Sequence, residues 1–306
     1  MARPGAVVVL AGGTGGAKLA RGMADVVGSD LVVVANTADD IEIHDAHVSP
    51  DPDLVSYWLA DRIDARGWGL DGDTFAAMDT RRAAGEDVWF NLGDEDLRIC
   101  RARLQRMRAG ARLTETLAEL GDELGLEARV LPMSDDAVRT WVTAHGRARP
   151  FQEFMIRGRG EGPVDGVELR GAAAAAPTPE VLEALAGARA VIVGPSNPVI
   201  SIGPILAVPG IRAALAAGPA PVVAVSPIVG GAVLKGPTET FMAWAGEPAT
   251  AAGVAALYAG LLDGMVADEP VPGLALLRTD TRMSDGAGRR RVAAEALTFA
   301  DGLRDG

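Results

Sequence analysis

The first 35 residues constrain this chain more than any other stretch. AVVVLA (6–11) is a continuous apolar run rich in β-branched residues, the pattern of a strand buried on both faces. GGTGG (12–16) breaks that run, and apolar residues then recur at helical spacing over 17–27. LVVVA (31–35) supplies a second buried strand. A strand, a helix and a second strand in so short a span form a βαβ unit, which implies a parallel sheet.

Later segments extend the sheet. RVL (129–131), AVIV (190–193) and PVVAVS (221–226) read as further strands, and 274–277 as an edge strand in an otherwise mostly helical tail. Thr178 caps a helix that has Pro179 at its first position, and 209–218 is a short helix ending at glycine. Between 53 and 125 charge density rises and helical patterns dominate, at 53–65, 72–84, 94–109 and 112–124. The segment 139–170 alternates weakly, as antiparallel strands around PFQEFMIRG would. The expected class is α/β: a Rossmann-like, doubly wound, mostly parallel sheet. Residues 1–53 and 127–306 form its nucleotide-binding domain, and 54–126 a helical insertion.

Charge and composition exclude several functions. With 29 basic and 41 acidic residues the net charge is −12, which argues against a nucleic-acid backbone or an anionic membrane as partner. Five Trp, two Tyr and six Phe are too few for a stacking platform along single strands. One cysteine excludes a disulfide framework and a cysteine-based zinc site. No run of 18 apolar residues predicts a membrane helix. The apolar N-terminal stretch is short and runs into GGTGGAK rather than a cleavage site, so it reads as a first strand and the expected location is cytoplasmic.

GGTGGAK (Gly12, Gly13, Thr14, Gly15, Gly16, Ala17, Lys18) lies between strand and helix. Glycines let backbone N–H groups approach phosphate oxygens, the helix N-terminus adds partial positive charge, and Lys18 a full one. It is not a Walker loop, because Ala17 precedes Lys18 and Leu19 stands where Ser or Thr would bind magnesium. The alternative is a tight turn with no ligand. Asn36, Asp39 and Asp40 follow the second strand, where ligands bind in parallel sheets; an aspartate there suits a ribose hydroxyl, a metal ion or a helix cap. Asp51 and Asp53, two apart in SPDPD, either converge on a hard cation or cap a proline turn. His44 and His47 lack a helical HExxH context and read as loop imidazoles.

Asp94 reads as the cap of helix 95–109, whose arginines 98, 101, 103, 106 and 108 read as a solvated face. Cys100 reads as structural. Ser134 and Asp135 follow the strand at 129–131. Ser196 and Asn197 lie on a proline-rigid loop after 190–193. Ser226 closes 221–226, with Lys235 shortly beyond. Small, polar or acidic residues at five strand exits point to a phosphate-rich ligand along one sheet edge.

In this order the blocks AGGTGGAKL (11–19), NTADD (36–40), HVSPDPD (47–53), LGDED (92–96), LPMSDD (131–136), FQEF (151–154), PSNPVISIGPIL (195–206) and AVSPIVGG (224–231) resemble the 2-phospho-L-lactate transferase family of coenzyme F-420 biosynthesis. The resemblance implies a Rossmann-like fold, magnesium, a homodimer, and transfer of a three-carbon acid phosphate from a guanosine-diphosphate-linked donor to the deazaflavin Fo, with release of GMP. Asp39, Asp40, Asp51 and Asp53 are the candidates to hold magnesium or orient the attacking hydroxyl, with Asp51 and Asp53 the metal pair, and the resemblance implies that Asp53 and Asn91 line the Fo site, under the insertion. A non-catalytic nucleotide-sugar-binding regulator is the alternative. The family's PDLDT is here Pro50-Asp51-Pro52-Asp53-Leu54, and its GDRDLATH is here Gly93-Asp94-Glu95-Asp96-Leu97-Arg98-Ile99-Cys100.

Overall fold

The computed structural model describes residues 5–233 and 236–304, so Lys235 lies outside the described residues. The chain opens with β1 (Ala6–Ala11), α1 (Gly13–Val27) and β2 (Leu31–Ala35). A hairpin of β3 (Ile41–Ile43) and β4 (Ala46–Val48) follows. Four helices come next: α2 (Pro50–Leu59), α3 (Ala76–Ala83), α4 (Asp94–Arg108) and α5 (Leu113–Glu123). Then come β5 (Arg129–Pro132), β6 (Arg139–Ala144), β7 (Arg147–Pro150), α6 (Phe151–Ile156) and β8 (Val164–Arg170). The second half holds α7 (Pro179–Ala186), β9 (Ala188–Val193), α8 (Ile202–Ala207), α9 (Ile211–Ala217) and β10 (Val222–Val225). It closes with β11 (Ile228–Val229), β12 (Ala232–Val233), α10 (Thr238–Trp244), α11 (Ala251–Leu257), β13 (Gly264–Ala267), β14 (Ala275–Arg278) and α12 (Gly286–Arg304).

Seven strands form one parallel sheet in the order β14-β13-β10-β9-β1-β2-β5. β1 is an interior strand, between β9 and β2, and its side chains alternate between two cores. Val8 and Leu10 pack with Val181, Leu185, Ile202 and Ile211 on one face. Val7, Val9 and Ala11 pack with Leu19, Met23, Val292 and Ala296 on the other. Burial on both faces explains why these strands carry no polar alternation. The register pairs Ala11 with Ala35, Ala35 with Pro132, and Leu10 with Val193. The chain therefore leaves these strands along one common edge.

Three features differ from the sequence reading. α1 begins at Gly13, so the glycine run is its first turn rather than a loop before it. β13 lies in the tail read as mostly helical, because four buried residues carry too little periodicity to register. The β3–β4 hairpin was not expected; its turn places His44 and Asp45 at φ 56° and 58°, the left-handed pair of a type I′ turn. The segment 139–170 does form antiparallel strands, ordered β7-β6-β8, with FQEFMI as the short helix α6 beside them.

Candidate active site

The start of α1 faces a cleft of ≈ 430 Å³ at the carboxyl edge of the sheet. The first N–H groups of a helix have no partner within it and point out of its end. Gly13 turns the chain there with φ +62°, a conformation that glycine adopts without the steric cost of a Cβ. Gly15 has a different constraint, since a Cβ at that position would stand 1.9 Å from the Pro195 carbonyl oxygen. The glycine at 15 is thus required by the packing of the PSNP loop, independently of any ligand.

The structure brings Gly12, Gly13, Thr14, Gly15, Lys18, Ser196, Asn197 and Ser226 together around this cleft. Ser196 Oγ accepts from the Gly12 N–H at 3.4 Å. Asn197 Oδ1 accepts from Val199 N–H at 2.9 Å and Ile200 N–H at 3.2 Å, which fixes the shape of its loop. Ser226 Oγ accepts from Ile228 N–H at 3.1 Å. Phe151, Met155, Val229 and Met283 make an apolar wall, and Ser201, Thr281 and Ser284 add hydroxyls. Sequence reasoning missed Thr281, Met283 and Ser284. Their one signal was position, because they follow β14 and so occupy another strand exit.

The four aspartates separate. Asp51 Oδ1 accepts from the Gly13 N–H at 2.7 Å, and its Oδ2 accepts from Asn36 Nδ2 at 2.9 Å. Asp40 accepts from Ser49 Oγ at 2.8 Å and pairs with His47 Nε2 at 3.0 Å. His47, read as a loop imidazole, is a buried residue of β4, held there by the hairpin that the sequence did not announce. Asp39 is buried, and its Oδ1 has no hydrogen-bond partner. Burial, then the nearby Asp51 charge, pushes the Asp39 carboxyl well above its usual range. Burial also raises Asp51, to about 6, against the hydrogen bonds from Asn36 and Gly13.

Asp53 turns the other way, into a buried cluster under α4. Arg103 Nη1 donates to its Oδ2 at 2.9 Å, and Arg103 Nη2 donates to its Oδ1. Arg103 is 3% exposed, so it does not belong to the solvated face expected of the α4 arginines. Cys100 is buried beside Asp53, in keeping with a structural role. Tyr57 donates to Asp96 Oδ1 at 2.6 Å in the same cluster.

Asn91, Ser134 and Asp135 are not brought to the cleft. Asn91 accepts from Arg82. Ser134 donates to the Ala176 carbonyl at 2.6 Å. Asp135 accepts from Thr114 N–H at 2.8 Å at the start of α5. Asp94 does not cap its own helix: its carboxylate accepts from Ala76 and Ala77 N–H of α3, at 2.9 and 2.8 Å. Asp73 does that work for α4, accepting from Glu95 N–H at 2.9 Å and Asp96 N–H at 3.1 Å.

A doubly wound parallel sheet with a glycine-started helix facing a cleft at its carboxyl edge defines the class of α/β proteins that bind ligands at that edge. Residues 7–295 match the family described as 2-phospho-L-lactate transferase CofD, and the chain belongs to that family. It is a transferase, and its family supports a role in coenzyme F-420 biosynthesis.

The chain is 40% identical to the 2-phospho-L-lactate transferase of Methanosarcina mazei, over 86% of this chain and 87% of the relative. It is 39% identical to the phosphoenolpyruvate transferase of Streptomyces coelicolor, over 98% of this chain and 99% of that one. A solved structure of a UPF0052 family member from Bacillus halodurans is similar in fold, with a TM-score of 0.66 and 15% identity, covering 96% of this chain and 99% of its own. Among the described residues no helix is long and apolar enough to cross a membrane.

Proposed function

We propose that this enzyme transfers a phospholactate-type group, 2-phospho-L-lactate or enolpyruvyl phosphate, from a guanosine-diphosphate-linked donor to Fo, releasing GMP. The observation that carries this reading is the convergence of the exits of β1, β9 and β10 on one cleft, in a chain whose relatives act on these acids. The donor diphosphate lies over the start of α1, where main-chain N–H groups and Lys18 face negative oxygens. Ser196, Asn197 and Ser226 orient it, and the guanine lies against the apolar wall of Phe151, Met155 and Met283.

The terminal ribityl hydroxyl of Fo attacks the phosphorus that carries the acid. A new P–O bond forms as the bond to GMP breaks, and the hydroxyl proton passes to a carboxylate. Such a transfer depends on positioning and charge neutralisation more than on a covalent nucleophile. Asp39 and Asp40 stand at the exit of β2, where they orient that hydroxyl. Fo enters from the side of α2 and α4. Asp53 is sealed against Arg103 and supports that wall rather than contacting Fo, while Asn91, which now accepts from Arg82, would turn to Fo.

Two buried carboxylates, Asp39 raised by the charge of Asp51 and left with an unpartnered oxygen, fit a hard cation with oxygen ligands. Asp39 and Asp51 would hold magnesium with the help of substrate phosphate oxygens, since among the described residues no three acidic, histidine or cysteine side chains converge to hold an ion alone. When bound, the ion supplies positive charge to the phosphoryl oxygens. The enzyme works as a homodimer in the cytoplasm.

The test is incubation of the purified protein with Fo, magnesium and each guanosine-diphosphate-linked acid (phospholactate, enolpyruvyl phosphate, phosphoglycerate), with products identified by mass. GMP and an Fo adduct are expected from at least one donor. No adduct from any of the three would sink the reading.

A further inference from the structure

The N–H at the mouth of the glycine turn already has an anion on it. Gly13 donates to Asp51 Oδ1 at 2.7 Å, and Asn36 holds the other oxygen at 2.9 Å. The carboxylate is buried and sits in the first turn of α2, between Pro50 and Pro52, whose rings fix their own backbone φ. A backbone amide at the start of a helix is the group a phosphate oxygen seeks. Asp51 therefore occupies, from within the protein, a place that an incoming phosphate needs. A bare phosphate must take the Gly13 N–H from a carboxylate and then stand beside that charge, with buried Asp39 also near. A divalent cation changes the balance. It gives the carboxylate a new partner and sets a positive charge between two anions.

Asp53, two residues along the same turn, has no such freedom, because Arg103 neutralises it inside the protein. Charge pairing thus separates an exchangeable carboxylate from a fixed one. We propose that Asp51 is the specificity-determining residue of the glycine turn: it refuses a bare phosphate or nucleotide and admits a diphosphate that arrives with its divalent cation, exchanging the Gly13 N–H for that cation. The proposal rests on the reading that a nucleoside diphosphate binds at this turn.

The experiment compares wild type and Asp51→Asn by calorimetric titration with guanosine diphosphate, in chelator and in magnesium. Wild type should bind at least about tenfold more weakly in chelator, from like-charge repulsion at short range. Asp51→Asn, nearly isosteric and neutral, should bind in chelator about tenfold more tightly than wild type and lose most of its preference for magnesium. Chelator affinity in Asp51→Asn no tighter than in wild type overturns the proposal.

A second measurement needs neither nucleotide nor variant, only the wild-type Gly13 amide resonance followed by NMR. Magnesium alone should move it, as Asp51 turns from the amide to the ion. An amide unmoved by millimolar magnesium overturns the proposal even if guanosine diphosphate binds. If guanosine diphosphate binds in neither buffer while the amide does move, the donor assignment fails and the exchange at Asp51 stands.

Discussion

The cleft at the sheet edge and the polar cluster beneath α4 share one helix turn, the first of α2, yet they are held together by different forces. In the cleft most contacts join main-chain N–H groups to neutral hydroxyl and amide oxygens, Gly12 to Ser196, Val199 to Asn197 and Ile228 to Ser226, with Gly13 on Asp51 the charged exception. A ligand oxygen can replace contacts of this kind at little cost, since one neutral hydrogen bond is exchanged for another. Beneath α4 the contacts are charges out of water. Asp53 and Arg103 have side chains 6% and 2% exposed, and each leaves the other uncompensated if it is lost. A binding surface needs contacts that trade. A joint between two layers of structure needs contacts that do not.

The first way to break this comparison is to remove the fixed charge pair. Arg103→Met should cost about 3–5 kcal/mol, because it strands a buried carboxylate, while the double variant Arg103→Met with Asp53→Leu should recover most of that loss. Denaturant midpoints measure both. A single variant as stable as wild type would mean that the pair joins nothing.

Next in size is Gly15→Ala. With the Pro195 oxygen 1.9 Å from the new Cβ, the backbone must move, at about 1–3 kcal/mol. A full melting temperature in that variant would show that the turn yields freely and is not a rigid cradle.

A third change is spread over pH. Burial, then the Asp53 charge, pushes Asp96 up to about 7, while an unfolded aspartate titrates near 4. The folded state thus holds this proton more tightly. Its stabilising contribution is complete below about pH 4 and is lost as pH rises toward about 7. Stability of Asp96→Asn relative to wild type should therefore climb over that window. Parallel curves would place the pH dependence elsewhere.

The smallest effect sets the scale for the others. Thr178 Oγ1 accepts from Val181 N–H at 3.1 Å, remote in sequence from both regions, and Thr178→Ala should cost about 1 kcal/mol of stability. Turnover should stay at the wild-type value in a standard assay. A loss of activity as large as the stability change would tie α7 to the cleft.

Much of the cleft was legible because its parts are local. A β-branched run, a glycine turn and a helical period follow one another within 27 residues, and a parallel sheet obliges each later strand to exit on the same edge. Ser196, Asn197 and Ser226 were found by that rule and lie where it puts them. The same rule admits Ser134 and Asp135, although their side chains cap and brace rather than face the cleft. Strand exit is a statement about the backbone and does not fix where a side chain points. The α4 arginines show the complementary limit. Arg98 and Arg103 have the same side chain on one helix, yet Arg98 pairs with Glu95 at the surface and Arg103 is sealed against Asp53.

By itself the sequence determined the parallel sheet, the existence of a helix after the glycine run, and the Thr178 cap, because each depends on neighbours within a few residues. Only the tertiary structure decided which way each acid of Pro50-Asp51-Pro52-Asp53 turns. The partners that choose are Gly13, 38 positions before Asp51, and Arg103, 50 positions after Asp53. Two carboxylates with the same chemistry acquire opposite characters because one meets a neutral amide and the other a buried cation. No local pattern encodes that meeting; it is set by where the fold brings α1 and the Arg103 side chain of α4 to the first turn of α2.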